Sequence, residues 1–174
     1  RLYFIPAGSR SVLILDPAAQ TADEETISGL SSLRQKWAGG VLSPATGKIY
    51  GIPFAGKCSA PSLFVALRKS DKAAACTASS VLIIDPATDT ADTTTLPISG
   101  VSGASKWYHG VAGLDGKIYG MPHNAITMLV IDPVAETVDT SIRTLGGNEK
   151  WRGAVLAPSG RIVGIPFSAP AALA

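Results

Sequence analysis

The sequence has little charge and no long hydrophobic run. Charged residues make up 16% of the 174 residues, and the net charge of +2 is spread over acids and bases that stand singly or in pairs. Because no basic stripe is present to neutralise phosphates, we expect no nucleic-acid partner. The apolar runs, such as Val12–Leu15 and Val81–Ile84, are strand-sized and far shorter than the roughly 20 residues of a transmembrane helix. The sequence therefore predicts no membrane span.

Motifs that mark enzymes and metal centres are also missing. The sequence has no Gly-x-Ser-x-Gly elbow, no phosphate-binding glycine loop and only two histidines. One of these, His123, lies in a short loop and is expected to be exposed. Two cysteines and two distant histidines make a poor zinc site, which normally takes four ligands. We therefore expect no catalytic residue, no metal and no cofactor.

The two cysteines, Cys58 and Cys76, lie 18 positions apart in one alanine-rich segment. We expect them to form a disulfide, which would indicate a secreted, lumenal or periplasmic protein. Two free thiols in a cytoplasmic protein are the alternative. The chain begins at Arg1 without a charged and apolar leader, and we expect this start to be a processing site or a cut through a longer chain.

Three short motifs recur in the same order and define a repeat. VLILDP at residue 12 returns as VLIIDP at 81 and MLVIDP at 128. Lys-Trp stands at 36, 106 and 150, and GKIYG at 47 and 116 becomes GRIVG at 160. The second and third copies lie 44 to 47 residues apart, whereas the first and second lie 69 or 70 apart. The surplus is one insertion, at 57–80, between two strands of one repeat.

The sequence of each repeat predicts four short strands. The segment after Lys-Trp is the first strand, and the glycine that follows it (Gly47, Gly116 or Gly160) suits a tight hairpin with positive φ. The Ile-Tyr-Gly segment is the second strand, VLIIDP the third and a Thr-rich segment the fourth. The aspartates that we expect to form the turns after the third strands are Asp16, Asp85 and Asp132. Four antiparallel strands per repeat are typical of one blade of a β-propeller.

The order of these motifs, an apolar run, Asp-Gly-Lys, Ile-Tyr, a short loop, Val-Leu-Ile-Ile-Asp-Pro-Ala-Thr and a Thr-rich strand, resembles the YVTN family of β-propeller repeats and, more loosely, the kelch propellers. The resemblance covers nearly the whole chain except 58–80. It implies an all-β domain over 1–174 with blades of four antiparallel strands. It implies no single activity, because propellers include binding modules, scaffolds and enzymes.

The strand count predicts an incomplete propeller of about three to four blades' worth. The first residues, 1–6, correspond to the second strand of a blade, and the chain ends on another second strand at 160–166. Closed propellers take about 4 to 8 blades, and open sheet edges invite pairing. We therefore expect further blades of the same chain, a second copy in a homodimer, or another protein to cover the edges.

The Lys-Trp pairs are the first candidate binding residues. In a four-stranded blade Trp37, Trp107 and Trp151 would share one face with the insertion, where aromatic rings and lysines can hold a sugar or an anion. Tyr108 and His109 follow the second tryptophan and would belong to the same site. The alternative is that each tryptophan packs between neighbouring blades while each lysine extends to water.

The insertion is the second candidate, because a departure from a repeat commonly lies on the binding face. Its apolar stretch includes Leu63 and Phe64 and is followed by Arg68 and Lys69. Such a segment either packs back on the propeller or docks onto a partner.

Three functions stay open at this point. The first is a non-catalytic propeller that serves as a protein-interaction or structural subunit of a larger assembly. The second is a carbohydrate-binding, lectin-like propeller that uses Trp107, Tyr108 and His109. The third is a propeller enzyme whose site lies in blades that this chain does not contain.

Overall fold

The computed structural model describes residues 1–54, 78–101, 103–144 and 146–173. All regular secondary structure in these ranges is β, which confirms the prediction of an all-β chain. The strands are β1 (Leu2–Phe4), β2 (Leu13–Asp16), β3 (Thr21–Asp23), β4 (Trp37–Leu42), β5 (Ile49–Pro53), β6 (Leu82–Asp85), β7 (Thr90–Asp92), β8 (Trp107–Ala112), β9 (Ile118–Pro122), β10 (Leu129–Asp132), β11 (Thr137–Asp139), β12 (Trp151–Leu156) and β13 (Ile162–Pro166). None of the described residues belongs to a helix that is long and apolar enough to cross a membrane.

The strands form four antiparallel sheets, and each sheet is a meander of strands that follow one another in the chain. The second sheet (β4 to β7) and the third sheet (β8 to β11) have four strands each. The first sheet contains β1 to β3, and the fourth pairs β12 with β13. One sequence repeat therefore corresponds to one sheet. Across the described ranges no sheet closes on itself.

The pairing between second and third strands keeps the same register from sheet to sheet. Gly120 of β9 pairs with Leu129, the first residue of β10. In the fourth sheet an isolated bridge joins Gly164 to Leu173 in the equivalent register. The prediction that the last element is a second strand is therefore incomplete, because Leu173 occupies the position at which a third strand begins.

The hairpins between first and second strands turn on glycine, as the sequence predicts. The φ angle is 71° at Gly47, 78° at Gly116 and 83° at Gly160. A side chain would strain the backbone at these angles, whereas glycine adopts them readily. The repeated glycine of the GKIYG motif is thus explained by the turn alone.

The turns after the third strands depend on aspartate, also as predicted. Asp132 Oδ1 accepts hydrogen bonds from the backbone N–H groups of Val134 at 3.1 Å and Ala135 at 2.9 Å. Asp16 makes both equivalent bonds in its own sheet, and Asp85 accepts the first of them, from the Ala87 N–H. These carboxylates satisfy backbone donors that the turn would otherwise leave to water.

Neighbouring sheets meet through their first strands. β4 lies against β8, and β8 lies against β12. Small residues allow the approach, since a Cβ at Gly110 would lie 2.9 Å from Ile52 Cδ1 and 3.0 Å from Val41 Cγ2 of the preceding sheet. Buried apolar side chains fill the space between sheets in two clusters, one around Trp37 and one around Trp107. Each large side chain buried there stabilises the fold by about 1.5–3 kcal/mol.

Three of the sheets contain a first strand that begins with the repeated tryptophan. In each of them the strand pairing is irregular directly after that tryptophan. In β8 the register shifts between Trp107 and Gly110, so that Tyr108 and His109 stand opposite the single residue Met121 of β9. β4 and β12 shift at the equivalent place. Such bulges bend a strand and redirect its side chains, and here they act on the residues that follow each tryptophan.

The insertion expected at 57–80 is described only at its end. Ala78 is buried in the cluster around Trp37, and Ser80 forms a bridge to Pro97. The remaining candidate residues of the insertion lie outside the described residues: Cys58, Leu63, Phe64, Arg68, Lys69 and Cys76. The disulfide and the docking role stay predictions.

Candidate binding face

The repeated tryptophans are interior residues. Trp37, Trp107 and Trp151 are 3%, 0% and 1% exposed. Each indole N–H donates a hydrogen bond to a backbone carbonyl ahead of a third strand or its equivalent. The acceptors are Ser80, Thr127 and Ala171, at 3.0, 2.8 and 3.2 Å. Because no ring offers a face to solvent, the sugar-stacking role expected for these tryptophans does not fit, and the packing alternative does.

The lysine before each tryptophan is also buried, contrary to the expectation that it extends to water. Lys36, Lys106 and Lys150 are 1%, 3% and 3% exposed. Each ammonium donates to the carbonyl oxygen three residues before the third-strand motif. These carbonyls belong to Ser9, Ala78 and Ala125, at 2.8, 3.3 and 2.9 Å. Burial lowers the pKa of all three amines, because desolvation disfavours the charged form.

Backbone hydrogen bonds of the same lysines join each sheet to the one before it. The Lys106 N–H donates to the Phe54 carbonyl of the second sheet, and the Lys106 carbonyl accepts from the His123 N–H of the third, both at 2.8 Å. Lys36 and Lys150 repeat this arrangement. We call the backbone and ammonium hydrogen bonds of Lys36, Lys106 and Lys150 the lysine latch. It links all four sheets at the end where the second strands finish.

The residue before each latch lysine has a left-handed backbone. The φ angle is 53° at Gln35, 55° at Ser105 and 53° at Glu149. Residues other than glycine pay roughly 1–2 kcal/mol for this conformation. The latch therefore holds the chain in a conformation that these residue types do not favour by themselves.

The structure separates the two residues that follow Trp107. His109 is exposed, and its ring lies against Gly39 of the second sheet, where an added Cβ would be 2.6 Å from His109 Cδ2. Tyr108 is half-buried and belongs to a cluster of rings on the latch side. Of the five residues expected to bind a ligand around the repeated Lys-Trp pairs, Tyr108 is thus the one that joins this cluster of rings.

Four rings and one guanidinium meet beside the lysine latch. The Tyr108 ring centroid lies 5.3 Å from that of Phe54, edge to face at 83°, and 5.7 Å from that of His123. The Arg152 guanidinium lies over Tyr108 at 5.6 Å and over Phe167 at 3.6 Å. Both kinds of contact are favourable. We call Phe54, Tyr108, His123, Arg152 and Phe167 the ring patch.

The ring patch runs from the interior to the surface. His123 is 3% exposed, whereas Phe167 is 50% exposed and Arg152 is exposed as well. Phe54 and Tyr108 are half-buried between them. The inner members therefore support the outer ones, which keep part of their surface available for contacts.

His123 connects the ring patch to the latch, and the expectation that it is exposed is wrong. Its Nδ1 lies 3.1 Å from Asn124 Oδ1, and its backbone carbonyl accepts from Lys150. Its Nε2 has no hydrogen-bond partner among the residues that the structure describes. Burial lowers the pKa of this imidazole, which favours the neutral ring.

A polar cleft of about 570 Å³ opens between the loops of the third and fourth sheets. Its polar lining comes from Ser105, Lys106, Asn124, Asn148, Glu149 and Ser168. The Asn124 amide fixes the cleft, because Nδ2 donates to the Ala104 carbonyl at 3.3 Å and Oδ1 accepts from the Glu149 N–H at 2.7 Å. The cleft thus adjoins the ring patch through the Asn124–His123 contact.

Four members of the ring patch were not candidates in the sequence analysis. Phe54, His123 and Phe167 each follow the proline that ends a second strand, and Arg152 follows a tryptophan as Tyr108 does. The residue types at these two positions of the repeat differ from copy to copy, whereas the neighbouring positions stay constant. That variation is the feature of the sequence that points to these residues. The bulges decide which of these positions come into contact between two neighbouring sheets, and the bulges are not evident from the sequence.

Ion pairs and metal ligands contribute little among the described residues. The ion pairs found there join Arg1 to Asp16 at 3.7 Å and to Asp89 at 2.7 Å, at the turns of the first two sheets. Within the same residues no group of three or more His, Cys, Asp or Glu is arranged to hold a metal ion. The candidate face carries rings, amides and hydroxyls together with the Arg152 guanidinium and the Glu149 carboxylate.

Comparison with known proteins gives a fold and no family. No protein-family model matches the sequence, and no curated protein matches it. The chain is similar to a chain of hydrazine synthase from Kuenenia stuttgartiensis, with a TM-score of 0.57 and 17% identity, over 97% of this chain and 39% of that one. It is also similar to the extracellular domain of a protein designated a one-component system from B. thetaiotaomicron, with a TM-score of 0.55 and 13% identity, over 90% of this chain and 19% of that one. The chain thus spans less than half of either structure, and the likeness is one of fold alone.

Proposed function

We propose that the four sheets are blades of a β-propeller and that the protein is a non-catalytic interaction or structural module of a larger assembly. Three observations support a radial arrangement: the meander order within each sheet, the contacts between first strands, and the latch that joins successive sheets at one end. The YVTN-like order of motifs in the sequence is consistent with it.

The burial of the Lys-Trp pairs carries the functional proposal. The indole N–H groups and the lysine ammonium groups are bonded to backbone carbonyls inside the fold. Residues used in this way in every repeat support the framework and are not available to a substrate. The enzyme alternative would need residues from further blades.

The ring patch is the surface that we propose for the partner. Arg152 and Phe167 are exposed, and they rest on the half-buried Tyr108. Arginine and aromatic side chains that stand on a packed support dominate the binding energy of protein interfaces. A protein partner therefore suits this patch better than a small charged substrate.

The first sheet offers a second contact surface. Tyr3 of β1 pairs with Ile14 in the way that Tyr50 of β5 pairs with Ile83, so β1 occupies the second position of its sheet. No described strand pairs with the other edge of β1, where Leu2 is 51% exposed. Because such an edge invites pairing, we propose that further blades of the same polypeptide or a second copy complete it.

Two measurements on the native protein test these proposals. Intact mass and solution mass separate the two ways of completing the edge: a longer polypeptide indicates further blades, and a dimer of chains of this mass indicates a second copy. For the patch, the Arg152→Ala/Phe167→Ala double variant is compared with the wild type in affinity purification from the native source. The matched control, Arg161→Ala/Val134→Ala, changes two exposed residues outside the patch.

We expect a partner protein to co-purify at constant stoichiometry with the wild type and the control and to be lost with the patch variant. Retention by the patch variant would contradict the proposed surface. The proposed secreted, lumenal or periplasmic location rests on Cys58 and Cys76. Alkylation of the unfolded native protein should add mass only after reduction, and labelling without reduction would indicate free thiols and remove that support.

A further inference from the structure

The residues of the polar cleft depart from the repeat that shapes the rest of this face. Asn124 stands where the first sheet has Gly8, and Asn148 stands where the second and third sheets have Arg34 and Ala104. Positions required by the fold recur from sheet to sheet, as the lysines and tryptophans do. Positions that break the pattern commonly belong to a binding face.

Hydrogen bonds within the chain hold the loops of the cleft together without a ligand. Asn124 uses its amide to fix the two loops, bonding the Ala104 carbonyl and the Glu149 N–H. The Ser168 N–H donates to the Glu149 carbonyl at 3.0 Å and closes the far side. A cleft that is already formed binds with less loss of conformational entropy than a mobile loop does.

Other side chains of the cleft keep their hydrogen-bonding capacity. Those of Asn148 and Glu149 are exposed, and neither makes a hydrogen bond within the described part of the chain. The hydroxyls of the half-buried Ser105 and the exposed Ser168 likewise make no hydrogen bond among the described residues. Together they offer one amide, one carboxylate and two hydroxyls to a ligand in a space of about 570 Å³, which lies within the usual range of small-molecule sites.

The balance of charge selects among ligand classes. Glu149 is an acid at the rim, while the Lys106 ammonium points to the Ala78 carbonyl at 3.3 Å. Anions are therefore disfavoured, and the polar lining does not suit an apolar ligand. Hydroxyl groups of a polyol both donate and accept, which matches an amide, a carboxylate and serine hydroxyls.

We propose that this cleft binds a neutral saccharide, with Asn148 and Glu149 on its hydroxyls. The ring patch lies beside the cleft without lining it, since His123 touches Asn124 and the Tyr108 ring lies 5.7 Å from the His123 ring. The site differs from the tryptophan site expected from the sequence, and it does not depend on the proposed protein-interaction role.

The test is a titration of the isotope-labelled protein with mannose, galactose, N-acetylglucosamine and their β-linked disaccharides, followed by amide NMR spectra. At least one sugar should shift the amide signals of Ser105, Asn124, Glu149 and Ser168 at concentrations up to roughly 10 mM. The Asn148→Ala and Glu149→Ala variants should each weaken binding by about tenfold. Thr137→Ala, on the exposed strand β11, is the control and should leave binding unchanged.

Two outcomes would overturn the proposal. One is the absence of any shift at these amides with all the sugars, in a protein whose spectrum shows the native fold. The other is sugar binding that Asn148→Ala and Glu149→Ala leave unchanged. Either outcome leaves the protein-interaction test at Arg152 and Phe167 unaffected, because that test measures a partner protein and uses other residues.

Discussion

Lys150 donates two hydrogen bonds to one oxygen: its backbone N–H and its ammonium reach the His123 carbonyl at 3.0 and 3.1 Å. The ammonium also donates to the carbonyls of Ala125 and Gly147, both at 2.9 Å. All three ammonium protons are thus used, and the carbonyl oxygen of His123 has two lone pairs for its two donors. The third and fourth sheets are fastened at this point by a single residue of the repeated motif.

Gly39 is predicted to resist substitution for two separable reasons. Its φ is 78°, and an added Cβ would approach His109 Cδ2 to 2.6 Å. Gly39→Ala should therefore lower the free energy of unfolding by about 2 kcal/mol. Gly47→Ala is the matched control, because φ is 71° there and no atom of the described residues would lie within 4 Å of the added Cβ, so that only about 1 kcal/mol should be lost.

Chemical denaturation of these variants measures the difference. Adding His109→Ala to Gly39→Ala should recover the excess loss, since it removes the clash and leaves the backbone angle unchanged. Equal losses at the two glycines, with no recovery in the double variant, would show that the His109 contact is not formed.

Glu136 is predicted to lower the stability of the fold relative to a glycine at the same position. It has φ of 51° in the turn after β10 and is exposed. Glu136→Gly should therefore raise the free energy of unfolding by about 1 kcal/mol, since glycine adopts this angle without strain. Ala135→Gly, one residue earlier at negative φ, should lower it. A thermal unfolding series that ranked the two variants in the opposite order would refute the turn geometry.

Asp92 is predicted to make the free energy of unfolding depend on pH in the acidic range. Hydrogen bonds from the Thr95 and Thr94 side chains and backbone N–H groups lower the pKa of this carboxyl to about 2. The ionised form favours the folded state, so its contribution is present above about pH 4 and is lost as the pH falls toward about 2. Asp92→Asn should remove that part of the pH dependence of unfolding, and the exposed control Glu24→Gln should keep it. Identical profiles for the wild type and Asp92→Asn would contradict these contacts.

The strands and their turns could be predicted from sequence because their causes are local. Gly47, Gly116 and Gly160 are required by single turns, and Asp132 bonds to donors two and three residues away. Repetition of such local signals gave the number and order of strands. The pairing of Leu173 with Gly164 could not be predicted, because the segment around Leu173 is too short to show the pattern of a third strand.

The binding face could not be predicted because it depends on how sheets meet. Lys150 looks like a surface lysine in the sequence, yet its partners Ala125 and His123 are 25 and 27 residues away in the preceding sheet. The burial of Trp107 and the contact of Tyr108 with Phe54 depend likewise on a bulge and on a neighbour. These relationships follow from the packing of whole sheets, which no single repeat contains.

The central claim is that the repeated Lys-Trp pairs fasten the sheets to one another, and Lys150→Met tests it most directly. Methionine keeps the length of the side chain and removes three hydrogen bonds, so that the carbonyls of Ala125 and Gly147 lose their ammonium donor while the His123 carbonyl keeps the backbone N–H of Lys150. The free energy of unfolding should fall by about 3 kcal/mol. Lys117→Met, at a lysine with no side-chain hydrogen bond within the described residues, should change it by less than about 0.5 kcal/mol. A loss at Lys150 no larger than that at Lys117 would contradict the claim.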